Sequence, residues 1–469
     1  MATLLTRKFK YINARSFLEL FNNNSDRIYC FMAKVDEWIN NDPNPDTPVD
    51  KFTEDILHWD QIIGARRILL SDVSFVVPFN EWTNGSAYTP YEHDDADIFD
   101  RANPFFVASE VTAGVYNVYK CISNNSGETS INQPTAETTN GIIKNTGAGQ
   151  DGLHWKFMYT ISASDKAKFF AEDTDFMYVP VKNLTADDSS TQWDVQRDAI
   201  DGGVYHIKHA SDTFAGYTAG HAVTLVGDGT GFVGVIASHA GVSTKKYVNI
   251  TNPGTGYRKV TDVKVNSVSD SDLKAIISPI SGHGFNPVTE LGATALMVTC
   301  EFPVDIPDLG SDASSYNEYR KVGIVVNPIA KSSQFDDISS TGTTISSGTR
   351  FSDTTVDQQI AINYTGTGIE SYFTADKIIT QSGTSSKGQI ISIDTINNII
   401  YAITTEGEFD ASSDISDSES NTLVNADISS VSVDYSVKRY SGDIIYIDQR
   451  TSVTRTSTNK ETVRLVIQF

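Results

Sequence analysis

The residues best suited to chemistry form an acidic stretch with one histidine, Glu92 to Asp95, followed by Asp97 and Asp100. Carboxylate oxygens are the ligands that a hard divalent cation such as Ca²⁺ prefers. The stretch lies in a polar loop after Tyr88-Thr89-Pro90-Tyr91 and lacks the regular ligand spacing of a cation-binding loop. We therefore interpret it as a solvated acidic loop.

Two further stretches resemble ligand-binding loops only in composition. Asp410 to Asn421 is rich in Asp and Ser but lacks the turn glycine and the spacing of an EF-hand, which favours a disordered or plain surface segment. Gly227 to Gly231 is glycine-rich, but it has neither the Lys-Ser/Thr pair nor the following helix of a phosphate-binding loop. It is typical of a β-turn between two strands.

The sequence also lacks the motifs of common catalytic sites. The sequence has no His-Glu-x-x-His and no Gly-x-Ser-x-Gly, and its eight histidines are scattered, so a triad can be neither assembled nor excluded. Carboxylate pairs for glycoside hydrolysis occur in any chain this acidic, so they do not discriminate. We predict no catalytic residues, no cofactor and no metal.

The charge balance limits the partners. The chain has 36 Lys plus Arg against 59 Asp plus Glu, a formal net charge of −23. Such a field repels a phosphate backbone and an anionic membrane surface, which predicts neither nucleic acid nor membrane as a partner. No apolar run approaches the roughly 18 residues of a membrane span, and the first residues lack an apolar signal core. We expect a protein that is not exported by a classical signal.

The cysteines indicate the compartment of folding. Cys30, Cys121 and Cys300 are odd in number, widely spaced and without a Cys-x-x-Cys pair. Each lies in an apolar, strand-like run, which predicts buried free thiols. This is consistent with folding in a reducing cytoplasm.

The element around which the chain is organised is Tyr319 to Pro328. Its short, β-branched apolar run ends in Asn327-Pro328, which predicts a core strand buried on both faces. Segments of different composition flank it, and aromatic and aliphatic strand-like segments resume beyond them. We predict a mainly β fold: a layered β-sandwich core with a few short helices in loops and two inserted small all-β modules.

The predicted domain limits follow from these changes in composition. The core comprises residues 1–201, 285–330 and a C-terminal hairpin at 431–469, with a Gly-rich module at 202–284 and a Ser/Thr/Asp/Gly-rich module at 331–430. An internal repeat with an offset of 40 residues marks the first module, pairing Tyr217 with Tyr257, Val223 with Val263 and Leu225 with Val265. Three predicted strands mark the second module: 377–380, 389–394 and 399–404.

Local patterns predict further elements in the core. Apolar spacing indicates helices at 14–21 and 54–66 and a short helix capped by Ser164. Strands are predicted at 27–35, 67–78, 116–122, 154–161 and 176–181, with Pro180 marking an edge or a strand end. The alternation in 116–122 is typical of a half-covered strand.

Taken in order, these segments resemble one family. The order is RIYCFMAKV, VVPFNEW, VYNVYKCI, DGLHWKFMYTI, DFMYVPV, NEYRKVGIVVNPIAK and the terminal SGDIIYIDQRTSVTRTSTNKETVRLVIQF. The set is similar to the gene product eight family of baseplate wedge proteins from T-even-type contractile-tail phages. It covers roughly 1–181, 291–331 and 431–469, and the two modules suggest a marine cyanophage-type member. The family-motif structural positions are Trp38, Trp82, Trp155, Pro180, Arg320, Gly323, Asn327, Pro328, Ser441, Gly442 and Asp443.

The resemblance implies a structural role. It implies a β-sandwich homodimer that binds other baseplate wedge proteins, helps hold the pre-contraction baseplate, and is folded and assembled in the host cytoplasm before residing in the virion. A receptor-binding tail-fibre adhesin is the first alternative, although an elongated trimer with long repeat arrays is expected for that class. A polysaccharide-degrading enzyme is the second, and it requires a cleft with two carboxylates at a set separation.

Overall fold

The protein is described here by a computed structural model. The described residues are 4–22, 26–34, 37–38, 44–170, 175–180, 184–210, 214, 216–239, 242–302, 318–330, 350, 352, 355–357, 359–374, 377–384, 386–433, 437–454 and 460–469. Strand makes up 45% and helix 14%, and the paired strands described below are antiparallel, so the predicted mainly β fold is confirmed.

The chain forms two compact units. Unit 1 comprises residues 1–16, 74–297 and 466–469, and unit 2 comprises residues 17–73 and 298–465. The module limits predicted from composition, 202–284 and 331–430, stay predictions.

The helices of the described residues are short apart from the first. They are α1 (Arg7–Asn22), α2 (Phe52–Gln61), α3 (Ala163–Phe169), α4 (Thr191–Arg197) and α5 (Pro287–Glu290). In the part of the chain that the structure describes, no helix is long and apolar enough to cross a membrane.

The strands are numbered along the chain. The first seventeen are β1 (Ile28–Ala33), β2 (Ile62–Arg67), β3 (Val73–Pro78), β4 (Ser86–Ala87), β5 (Phe106–Thr112), β6 (Val115–Ser123), β7 (Thr129–Ser130), β8 (Ile143–Lys144), β9 (His154–Ile161), β10 (Phe176–Val179), β11 (Val204–His209), β12 (Ala222–Gly227), β13 (Thr230–His239), β14 (Val242–Thr255), β15 (Val260–Val265), β16 (Val268–Ser269) and β17 (Leu273–Ile277). The others are β18 (Ala295–Phe302), β19 (Glu318–Val326), β20 (Thr355–Asp357), β21 (Gln359–Tyr364), β22 (Ile378–Gln381), β23 (Lys387–Asp394), β24 (Ile399–Glu406), β25 (Ile415–Asp417), β26 (Thr422–Leu423), β27 (Ile428–Val433), β28 (Asp443–Thr454) and β29 (Glu461–Gln468).

The sheet that contains the organising strand lies in unit 2 and has the order β20-β2-β1-β19-β28. β19 is inside this sheet, pairing with β1 from Ile28↔Val326 to Ala33↔Lys321 and with β28 on its other side. Residues 319–325 are all buried. The prediction of a core strand buried on both faces is confirmed.

The second sheet of unit 2 has seven strands in the order β26-β25-β22-β23-β24-β21-β27. It encloses its own hydrophobic core, which includes Ile362, Phe373 and Ile400. The three strands predicted in this region are present as β22, β23 and β24, each paired with the next. Residues 331–349, at the start of the predicted module, lie outside the described residues.

The internal repeat in unit 1 has a structural counterpart. Strands β12 and β15 carry the two copies and pair antiparallel, with Val223 opposite Val265 and Leu225 opposite Val263. Val223 therefore lies opposite the counterpart of Leu225, and Leu225 lies opposite the counterpart of Val223. The sheet that contains both strands has the order β14-β13-β12-β15-β16. A separate hydrophobic core joins this sheet to the β11–β17 pair through Val204, Ile236 and Tyr257.

The remaining sheets of more than two strands are β5-β6-β9-β8 and β10-β3-β18-β29. The alternation of β6 predicts a half-covered strand, but residues 116–123 are all buried, so that prediction is wrong. The polar residues in β6 are buried with partners of their own, and Asn117 donates to Tyr119 Oη at 3.2 Å.

Four local predictions need correction. The predicted helix 54–66 ends at Gln61, and Ile62 and Ile63 belong to β2, which pairs with β1 through Ile62↔Ala33 and Gly64↔Met32. In the predicted strand 67–78, residues 70–72 form a 3₁₀ turn before β3. Ser162, rather than Ser164, caps α3 by accepting the Asp165 N–H. The C-terminal strands do not form a hairpin, since β28 and β29 belong to different sheets.

Candidate functional site

The acidic stretch is a partly solvated loop, as predicted, but two of its carboxylates are also ion-paired within unit 1. Glu92 accepts from Lys208 of β11 at 2.6 Å and from Lys274 of β17 at 3.1 Å, and Asp94 accepts from Lys274 at 2.6 Å. Burial acts to raise the pKa of Glu92, but the two lysines outweigh it and hold that pKa below its usual range. The carboxylates thus bind the loop to strands β11 and β17.

The other acidic segment is also ordered by its own hydrogen bonds. Asp417 lies in β25 and accepts from Lys377 at 2.9 Å and from the Asn421 side chain at 2.8 Å. Burial acts to raise its pKa, yet these donors hold the pKa at about 2. Within the described ranges, no group of three His, Cys, Asp or Glu residues is placed to hold a metal ion.

The glycine-rich stretch 227–231 forms the turn between β12 and β13, as predicted. A Cβ on Gly229 would lie 2.4 Å from the ring of Tyr257, and one on Gly227 would lie 2.4 Å from the Lys259 carbonyl oxygen. The glycines therefore serve the close packing of Tyr257.

The state of the three cysteines agrees with the prediction of buried free thiols. Cys30, Cys121 and Cys300 are buried and free. Burial raises the pKa of the Cys121 thiol, which leaves it protonated at neutral pH.

Seven of the family-motif positions lie on β19, on β28 or in the segments beside them. Gly323 is at the centre of β19, where a Cβ would lie 2.4 Å from Phe31 Cζ on one neighbouring strand and 2.6 Å from the Tyr446 carbonyl oxygen on the other. Arg320 is buried and pairs with Glu318 at 2.6 Å. These residues serve the packing of the sheet.

The end of β19 is held by a hydrogen-bonded turn. Asn327 has a positive φ of 55°, and its side chain accepts the Arg27 N–H at 2.8 Å and donates to Asp26 at 2.9 Å. After Pro328, the Ile329 N–H donates to Ser441 Oγ at 2.9 Å. This turn therefore fixes the start of β1 and the start of β28 together.

Gly442 and Asp443 complete the same turn. Gly442 has a φ of 76°, and a Cβ on it would lie 2.5 Å from the Val326 carbonyl oxygen. Asp443 opens β28 and pairs with Val326. We call Asn327, Pro328, Ser441, Gly442 and Asp443 the strand-end lock.

The tryptophans among the motif positions are anchored in the cores of their own units. In unit 2, Trp38 donates to the Arg450 carbonyl at 2.9 Å, and the Lys34 ammonium lies 4.8 Å from its ring centroid. In unit 1, Trp82 donates to Ser130 Oγ at 2.9 Å, and Trp155 packs edge-on against Tyr88. Pro180 is buried directly after β10, which lies at the edge of its sheet as predicted.

Sequence reasoning missed a fully buried ion pair in unit 1. Lys120 of β6 donates to Glu290 of α5, and the Lys120 ammonium lies 4.8 Å from the Tyr91 ring centroid. Burial acts to raise the pKa of Glu290, but Lys120 outweighs it and holds the pKa at about 2. Glu290 also accepts the Gly284 N–H at 2.8 Å, so the carboxylate is fully used in the structure.

Sequence reasoning also missed a cleft of about 360 Å³ in unit 1, which we call the histidine cleft. Four of the eight histidines line it: His154 on β9, His206 and His209 on β11, and His239 on β13. Tyr247 of β14 lies beside two of them, with ring centroids 4.7 Å from His239 and 5.5 Å from His154. No spacing in the sequence signals this group, because strand packing brings the histidines together.

Apolar side chains remain exposed on two helices. Helix α1 buries only Ala14, while Phe9 and Ile12 are 48% and 52% exposed. On α2 of unit 2, Phe52 is 81% exposed and Leu57 is 46% exposed, beside a groove of about 330 Å³ lined by Val49 and residues 444–447. We call this second feature the α2 groove.

No protein-family model matches this chain, and no curated protein matches it either.

Proposed function

We propose that this chain is a structural component of the baseplate of a contractile phage tail. In this proposal it is a homodimer that binds neighbouring wedge proteins and helps hold the baseplate in its pre-contraction form. It is folded and assembled in the host cytoplasm, resides in the virion, and carries no catalytic activity.

The observation that carries the proposal is the exposed apolar surface of α1 and α2. Phe9, Ile12, Phe52 and Leu57 each leave a third or more of their surface in solvent. Contiguous exposed apolar groups on a folded protein are typical of surfaces that other proteins cover. An assembly component needs several such surfaces, whereas an enzyme needs a cleft with convergent reactive groups.

The strand-end lock gives separate support. The resemblance to baseplate wedge proteins is specific as an ordered set of segments. Two of these, Arg320–Pro328 and Ser441–Asp443, are more than a hundred residues apart in the chain. Ile329 and Ser441 are hydrogen bonded at 2.9 Å, and Val326 pairs with Asp443. The two segments therefore share one structural task, as expected if the resemblance reflects a common framework.

The charge of the chain defines the kind of partner. A net charge of −23 favours basic surfaces on the neighbouring wedge proteins, and contacts of that kind weaken with salt. Contacts made by the apolar side chains of α1 and α2 are not screened in this way.

Binding to separately purified wedge proteins of the same phage tests the proposal. We expect the chain to form a complex with at least one of them, and we expect Phe9→Ser/Ile12→Ser or Phe52→Ser/Leu57→Ser to reduce the affinity at least tenfold. Lys10→Ser, an exposed polar position on α1, is the matched control and should bind as the unmodified chain does. Failure to bind any wedge protein at either low or high salt would refute the proposal.

A further inference from the structure

The histidine cleft contains polar groups that the fold itself does not use. His154 and His239 are 5% and 7% exposed, and the Nε2 atom of each has no hydrogen-bond partner among the described residues. A buried polar atom without a partner costs free energy, of order 1–3 kcal/mol. Two such atoms in the wall of one cleft point to a ligand that supplies the missing hydrogen bonds.

Two pairs of charged groups in the same cleft compensate each other. Glu92 is paired with Lys208 at 2.6 Å, and Asp95 is paired with Arg101 at 2.8 Å. Lys246 also lines the cleft and has an interaction of its own. The four paired groups therefore offer no free charge for an ionic ligand to neutralise.

Three of the four histidines, His154, His206 and His239, are uncharged at neutral pH. Burial lowers the pKa of His206 to about 4, and burial also holds the pKa values of His154 and His239 below the usual 6.5. A neutral imidazole has one nitrogen that donates and one that accepts, so it pairs well with a hydroxyl group, which does both.

The remaining wall is mixed, with aromatic, aliphatic and neutral polar side chains. Tyr247 and Phe214 line the cleft together with Thr89 and Ser123. Aromatic rings bury apolar C–H surface, and a cleft with apolar walls and a few convergent polar groups is typical of small-molecule sites. The wall thus combines ring faces with neutral hydrogen-bonding groups.

We propose that the histidine cleft binds an uncharged, hydroxyl-rich ligand, namely one neutral sugar unit of a carbohydrate. The imidazoles of His154 and His239 hydrogen bond its hydroxyl groups, and the Tyr247 ring covers its apolar face. This site shares no residue with the apolar surfaces of α1 and α2, so the structural role does not depend on it.

Saturation-transfer NMR on the full chain tests this site, with methyl glycosides of glucose, galactose, mannose and N-acetylglucosamine as probes. Glucuronate and galacturonate are the charged comparisons, since both have C–H protons that can receive the saturation. We expect transfer to at least one neutral glycoside at pH 7.5 and none to the charged probes.

Variants locate the signal. His239→Ala removes one imidazole, and Thr89→Trp fills the cleft from its half-exposed rim without removing a buried group. We expect each to reduce the transfer at least fivefold, while His221→Ala, which lies outside the cleft, leaves it unchanged. Urea unfolding of each variant confirms that it is folded.

Three outcomes would overturn the proposal. One is the lack of transfer to all four neutral glycosides, and another is transfer only to glucuronate or galacturonate. The third is transfer that persists in both folded variants, since the ligand would then bind elsewhere.

Discussion

Ser441 and Ile329 are joined by a hydrogen bond of 2.9 Å from the Ile329 N–H to Ser441 Oγ, although 112 residues separate them in the chain. Ser441 is 1% exposed, and its hydroxyl also donates to the Lys438 carbonyl at 2.5 Å. One small side chain thus satisfies two buried backbone groups where β19 ends and β28 begins.

The Ser441→Ala variant leaves both backbone groups without this partner. We expect the free energy of unfolding of unit 2 to fall by about 1–3 kcal/mol. Urea unfolding followed by circular dichroism measures the change, and Ser382→Ala, an exposed serine in the same unit, is the control. Equal stability of the two variants would show that the strand-end lock is not needed for the fold.

The Gly323→Ala variant adds a methyl group where β1 and β28 leave no space. Its Cβ would lie 2.4 Å from Phe31 Cζ, so strands or rings must shift. We expect a loss of about 1–3 kcal/mol in the free energy of unfolding. Adding Phe31→Leu should recover part of the loss, because it removes the ring that the methyl group meets.

A second glycine, Gly216, provides the control for this test. At Gly216, an added Cβ would meet no atom of the described residues within 4 Å, and φ is not positive, so Gly216→Ala should be neutral. Full stability of Gly323→Ala alongside Gly216→Ala would contradict the close approach of Phe31.

The buried pair Lys120–Glu290 predicts a non-additive result. Lys120→Met leaves the Glu290 carboxylate buried without its counter-ion, which costs about 3–5 kcal/mol. Lys120→Met/Glu290→Gln removes both charges and should be more stable than Lys120→Met alone. A double variant less stable than the single one, measured by urea unfolding, would show that Glu290 is stabilised chiefly by backbone N–H groups.

The histidine cleft predicts a dependence of stability on pH. Burial lowers the folded-state pKa of His206 to about 4 and those of His154 and His239 below 6.5, while the unfolded chain protonates near 6.5. The unfolded state therefore binds more protons as the pH falls below 6.5, and stability is lost from there towards pH 4. Other groups near the cleft are Glu92, Lys144, Lys208 and Lys245.

Urea midpoints between pH 7.5 and pH 5 measure this dependence. We expect His154→Gln to flatten the slope, because the substituted group does not titrate, and His221→Gln to leave it unchanged. The same slope in both variants would place the acid sensitivity outside the cleft.

The strands of the sheets were largely predictable, because apolar alternation and β-branched runs are local signals. The pair Ile62-Ile63 shows the limit: its spacing fits a helix that continues from Ile56 and Leu57, and only the pairing with β1 makes it a strand. Gly323 is similar, since the need for glycine there depends on the ring of Phe31 from a distant part of the chain.

The candidate sites were less predictable than the fold. His154, His206 and His239 lie on three strands and have no common spacing, so only packing reveals them as one group. The acidic stretch was visible in the sequence, but its lysine partners lie 116 to 182 residues away. Charge patterns along the chain cannot show which distant segments will form ion pairs with each other.

We propose that the chain is an assembly component and a homodimer. A stable dimer of this kind buries on the order of 2,000 Å² or more of largely apolar surface, which salt does not screen. Light scattering at micromolar concentration should therefore give twice the 51.3 kDa chain mass at both 0.1 M and 1 M salt. A mass of 51.3 kDa under both conditions, together with failure to bind any purified wedge protein, would contradict the account.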